Sequence, residues 1–149
     1  MQMDEVVAFL EAMPGILVLA PKAGDGSPEL AWGDSFFYFS PSGEVPLREQ
    51  PFATIVTKTY PGEKASRLDR PGAFRVNVKA SKDDFTRFTG HQPRDTPPPA
   101  EHEDDTVVAH PTYGTVGWLA VVNPGEVSRT DLFALLEAAY EKAVAHAAK

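Results

Sequence analysis

Apolar positions along this chain recur at two periods, and the switches between them lay out the elements. Val6, Phe9, Leu10 and Met13 share one helical face, which predicts a helix over about 4–13, with Asp4 as N-cap and Pro14-Gly15 as its stop. A short apolar strand follows at 16–20, and the Gly- and Asp-containing stretch 22–28 reads as a turn. Strands are predicted over 30–39, 52–58 and 73–79, the first two joined through Ser40-Pro41-Ser42-Gly43. Segment 59–72 has no apolar period beyond one helical turn at 66–68. Ser81, with Asp84 three residues on, forms a capping box, so a short helix runs to about 88 with Phe85 and Phe88 towards the core. A fifth strand covers 116–122 and stops at Asn123-Pro124-Gly125. Ser128 and Asp131 form a second capping box, opening a final helix to about 146 in which Leu132, Leu135, Leu136, Ala139, Tyr140, Ala143 and Val144 recur at helical spacing.

The order α-β-β-β-β-α-β-α with short connections predicts an α+β fold. It is a two-layer arrangement, a mostly antiparallel sheet of about five strands with helices packed on one face. Alternation in the fourth strand puts Phe74, Val76 and Val78 on one side and Arg75, Asn77 and Lys79 on the other, so one face is dry and the other wet. Residues 90–105 break the pattern. Pro93, three consecutive prolines from Pro97, and Glu103-Asp104-Asp105 predict an extended, mobile loop at about 90–106. The whole, 1–149, reads as one domain.

Composition narrows the classes. A chain of 149 residues fits a single core, and no apolar run is long enough for a bilayer. Asp4 and Glu5 stand where a signal peptide carries basic residues, so a cytoplasmic location is expected. Absence of cysteine removes disulfides and thiol chemistry. A net charge of −7 disfavours nucleic acid as a partner, despite the local group Arg67, Arg70, Arg75 and Lys79. His91, His102 and the neighbouring acids lack the spacing of a zinc site, and no Gly-rich phosphate loop is present. No metal or cofactor is expected.

Five stretches carry a resemblance. Ala31-Trp32-Gly33-Asp34-Ser35-Phe36-Phe37-Tyr38, Pro51 through Lys58, Leu68-Asp69-Arg70-Pro71-Gly72, Phe74-Arg75-Val76-Asn77 and Gly117-Trp118 through Asn123-Pro124 resemble an uncharacterised bacterial family known only as a domain of unknown function. More remotely, the helix–sheet order and the ending, Trp118 to Val121 then Leu135 to Tyr140, are similar to the MmcQ/YjbR family. That likeness implies an α+β fold likened to a double-wing DNA-binding motif, and hence nucleic-acid binding as an alternative function. Neither family brings catalytic residues to carry over.

The candidate site lies on the wet face. Trp32 beside Asp34 supplies an apolar wall and a carboxylate for orientation; equally, Gly33 permits a bulge at a strand entry. Lys58, Arg75, Asn77 and Lys79 form either an anion site or a solvated face. His110, with Tyr113 or Asp34 as partner, has the chemistry of a general base for a hydrolase or isomerase, or is structural. Trp32, Asp34, Lys58, Arg75, His110 and Trp118 are the expected ligand-binding residues of a non-catalytic module that takes a small molecule or a protein partner. The stripe Phe133, Leu136, Tyr140 and Val144 offers a homodimer contact.

Overall fold

A computed structural model describes residues 1–149. Three helices, α1 (Met3–Glu11), α2 (Lys82–Thr89) and α3 (Arg129–Ala147), accompany six strands: β1 (Ile16–Leu19), β2 (Ser35–Phe39), β3 (Ala53–Val56), β4 (Arg75–Lys79), β5 (Val107–Ala109) and β6 (Trp118–Val122). The sheet order is β1-β2-β3-β4-β6-β5, and every neighbouring pair is antiparallel. The architecture is α+β. No helix is long and apolar enough to cross a membrane.

Helices pack on one face because their apolar stripes and the apolar face of the sheet complete one another. Val6 and Leu10 of α1, Phe85 of α2 and Leu132, Leu135, Leu136 and Ala139 of α3 bury against Phe37, Ala53, Ile55, Val76, Val78, Leu119 and Val121. A fully buried Leu such as Leu136 contributes on the order of 2 kcal/mol by area alone. Phe9 stacks on Phe133 at 4.2 Å, and the Tyr140 hydroxyl donates to the Pro14 carbonyl at 2.6 Å. The Phe133–Tyr140 stripe is thereby engaged within the chain.

Element ends differ from the sequence reading in instructive ways. Strand β2 starts at Ser35 because Glu29–Ala31 forms a 3-10 turn and Gly33 takes φ +88°, which ends any strand there. Helix α1 begins before Asp4; Glu5 accepts from the Gln2 N–H instead. Ser81 caps α2 as expected, accepting from the Asp84 N–H at 3.1 Å. Ser128 does not cap α3 with its side chain. Asp105, from a distant loop at φ +58°, takes the N–H groups of Gly125, Val127 and Ser128 and the Ser128 hydroxyl. The fifth strand of the sequence reading is β6, and β5 is an additional edge strand of three residues.

The second face is not wet throughout. Residues 57–72 cross over part of it, burying Arg75 at 2% and Asn77 at 1% exposure while Lys79 stays exposed. A second small apolar group, Val56, Leu68, Ala73 and Val122, anchors this strap. Charge in the strand pattern did not mean solvent. These polar groups are buried because each has a partner.

Candidate functional site

Cross-strand register fixes which side chains meet. Ser35 pairs with Ile55 and Arg75 with both Val56 and Val122, so Asp34, Val56, Arg75 and Val122 form one row. Thr54, Asn77, Ala120 and Val108 form the next, and Lys79, Trp118 and His110 the third. All lie on the second face, since cross-strand partners share a face.

Arg75 is the centre of this face. Its Nε donates to the Asn77 amide oxygen at 2.7 Å, and the Asn77 amide donates in turn to Thr54 Oγ1 at 2.9 Å. One terminal nitrogen donates to Ser66 Oγ at 2.9 Å and the other to Glu63 Oε1 at 2.9 Å. Ala120, the cross-strand partner of Asn77, has only a methyl group, which leaves the guanidinium room to extend over the sheet. Burial pulls the Arg75 pKa below its ordinary value, and the Glu63 carboxylate opposes that. Glu63 Oε2 also accepts from the Thr112 hydroxyl at 2.6 Å, joining the strap to the loop after β5.

His110 stands at the far end of the same network, 4% exposed. Its Nδ1 accepts from the backbone N–H of Thr112 at 3.0 Å and of Tyr113 at 2.9 Å. The hydrogen-bond network therefore assigns the single proton of the neutral ring to Nε2. Burial, and then the Arg75 charge, push the imidazole from 6.5 down to about 3, so the ring is neutral at physiological pH. Nε2 lies 3.3 Å from the Arg75 terminal nitrogen. Both are donors, and neither can satisfy the other. Trp118 meets the imidazole edge-on at 6.4 Å, and Tyr113 packs against it at 5.0 Å.

A second cluster holds the near end of the strap. Asp34, with its side chain fully buried, accepts from the Thr57 N–H at 2.9 Å, the Thr57 hydroxyl at 3.1 Å and Lys58 Nζ at 3.2 Å. The Tyr60 hydroxyl donates to its other oxygen. Burial first, and then Asp34, push the Tyr60 hydroxyl above its ordinary pKa. Lys58 also donates to the Trp32 carbonyl at 2.6 Å, and the Trp32 indole N–H to the Ser27 carbonyl at 3.2 Å. Both carboxylate oxygens of Asp34 are thus engaged by the protein.

The six sequence-predicted residues therefore separate. Trp32, Asp34 and Lys58 belong to the latch at one end of the strap; Arg75, His110 and Trp118 meet at the other. Asp34 and His110 are four strand spacings apart, about 19 Å across the sheet, so they do not form an acid–base pair. Lys58 and Lys79 do not join Arg75 and Asn77 in an anion patch either, because Lys58 is engaged with Asp34 and Lys79 points from the exposed strand end.

Beside His110 runs a cleft of about 330 Å³. Its floor is the continuous stretch Val107 to Pro111. Phe88, Thr89 and His91 from the end of α2 form one wall, Ala65 and Ser66 of the strap the other, and Thr96 to His102 close it. Of the six predicted residues, His110 alone lines it. Sequence reasoning missed Glu63, Ser66 and Thr112, which sit in aperiodic segments and are identified only by their partners. It reads the proline run as an extended, mobile loop but does not place it against the cleft, which Pro97 to Pro99 help to line.

Together the layers and the buried polar bridge define a two-layer α+β protein with a histidine-floored cleft at one sheet edge. The chain belongs to a family of unknown function, DUF6194, which matches residues 1–149. No curated protein and no solved structure matches it.

Proposed function

We propose that this protein is a non-catalytic recognition module that holds a ligand in the cleft beside β5. A hydrogen-bond acceptor group of the ligand sits at the His110 and Ser66 end. The observation that carries this is the meeting of two donors at 3.3 Å, His110 Nε2–H, whose residue lines the cleft, and the Arg75 guanidinium buried behind it. An acceptor placed there satisfies both, and a buried donor without an acceptor is costly. The cleft volume falls at the small end of the range for ligand sites.

Binding is favoured over catalysis because the imidazole is a poor base here. Its Nδ1 lone pair is occupied by two backbone N–H groups, and its pKa is near 3, far from the neutral values that suit proton transfer. The nucleic-acid reading, which kinship with the MmcQ/YjbR family would bring, loses its basic footprint. Arg67 and Arg70 pair with Asp104, and Arg75 pairs with Glu63.

A thermal-shift screen of the full chain against metabolites, followed by titration of hits, tests this reading. Hits should lose at least tenfold in affinity on His110→Phe and on Ser66→Ala. They should be unaffected by Trp32→Ala, which lies outside the cleft. Hits indifferent to both cleft substitutions would overturn it.

A further inference from the structure

The cleft floor is a strand edge, and the hydrogen-bond parity shows which of its backbone groups are free. The Asn123 N–H donates to the Phe74 carbonyl and the Ala80 N–H to the Gly117 carbonyl, so odd-numbered residues along β6 face β4. Even-numbered ones face β5, as the His110 N–H to Trp118 carbonyl bond of 2.9 Å shows. Val108 therefore shares the ladder, and the N–H and C=O groups of Val107 and Ala109 point away from the sheet along the cleft floor. Such groups are strong, obligatory hydrogen-bonding partners.

We infer that the ligand of this cleft is an extended peptide segment that adds to the outer edge of β5 as a short antiparallel strand, pairing its first residue with Ala109 and its third with Val107. This rests on the recognition reading above. The two free residues are separated by about 6.8 Å, the repeat of alternate residues in a strand. Pro111 has no N–H, and Asp105 turns the chain at φ +58°, so the usable edge ends on both sides and fits about three ligand residues.

Side-chain chemistry follows from the same register. Val107 and Ala109 point to the helical layer, so the ligand residues opposite them face the Phe88 wall and should be apolar. The middle residue faces the opposite wall, where Ser66 and His110 stand over Arg75, and should carry an acceptor such as a carboxylate or amide oxygen.

The probe is fluorescein-labelled Val-Asp-Val, capped at the C-terminus as an amide and read by fluorescence polarisation against the full chain. We expect saturable binding that weakens at least tenfold when the two valine nitrogens are methylated and when the central Asp is replaced by Leu. Methylation of the Asp nitrogen, which points away from β5, should leave affinity unchanged. Ala109→Pro removes one outward N–H without touching the β6 ladder, as edge strands permit, and should weaken binding similarly. The methylated peptides test the same bond should that variant fail to fold. Absence of binding up to about 1 mM, or binding indifferent to valine methylation, would overturn the inference. If a non-peptide hit then binds in a His110-dependent way, only the peptide assignment falls; if nothing binds, the recognition reading falls with it.

Discussion

Arg75 and His110, 35 positions apart in sequence, approach to 3.3 Å beneath the strap with both groups almost fully buried. Burial and the Arg75 charge keep the imidazole neutral down to about pH 3. The unfolded chain takes up that proton near 6.5. Below that value the unfolded state binds more protons than the native state, so stability falls with falling pH. The contribution is intact above about 6.5 and is lost progressively towards 3. Urea midpoints of wild type and His110→Phe should converge as pH drops from about 7 to about 4. A gap that stays constant would contradict a neutral buried imidazole.

The ion pair behind it makes a sharper demand on stability. Glu63 and Arg75 have side chains 7% and 2% exposed. Removing one partner leaves an uncompensated buried charge, at a loss of about 3–5 kcal/mol. Glu63→Leu should destabilise by that order in urea unfolding. The double variant Glu63→Leu with Arg75→Met should be much closer to wild type than the sum of the singles. Additive losses would mean the two groups act independently.

Asp105 ties the loop before β5 to the start of α3. Burial works against its ionised form, but the Ser128 hydroxyl and the N–H groups of Gly125, Ser128 and Val127 hold its pKa below the usual value. Asp105→Ala should cost about 1–2 kcal/mol, as for loss of a good helix cap. Asp105→Asn should recover part of this, since asparagine also tolerates positive φ. Thermal unfolding of the two variants checks the order.

Glycine positions separate backbone strain from steric clash. Gly15 at φ +79° and Gly24 at φ +89° both adopt a conformation that disfavours alanine, at about 1–2 kcal/mol. A Cβ at Gly15 would lie 2.5 Å from Phe39 Cε1, whereas one at Gly24 meets nothing within 4 Å. Gly15→Ala should therefore lower Tm by several degrees more than Gly24→Ala, about the effect of a further 1 kcal/mol or more.

Periodicity carried most of the fold. The helical stripe of α3, the capping box of α2 and the alternation of β4 are each local, and each is legible because burial on one face imposes a period. Strand β5 is three residues long and follows an acidic run, so it has no pattern of its own; the β6 ladder makes it a strand. The sequence pattern runs past the start of β2 because Trp32 and Asp34 look like strand residues, whereas Gly33 at φ +88° turns the chain there. Alternation also put Arg75, Asn77 and Lys79 on one face, but not which of them would be buried. That depends on Glu63, Ser66 and Tyr60, whose segment has no period and takes its course from pairing with Arg75 and Asp34. For the same reason the Asp34–His110 partnership suggested by residue chemistry is absent. Strand order sets them four strands apart.

The most direct test of the recognition site is a backbone amide NMR titration of the full chain with capped Val-Asp-Val peptide and, separately, with the best hit of the thermal-shift screen. Saturable shifts concentrated at Val107, Ala109, Thr112 and Tyr113, with the Trp32 and Lys58 amides unmoved, are the expected result. Shifts centred on the latch around Asp34, or a spectrum unchanged by either compound, would contradict a ligand site beside β5.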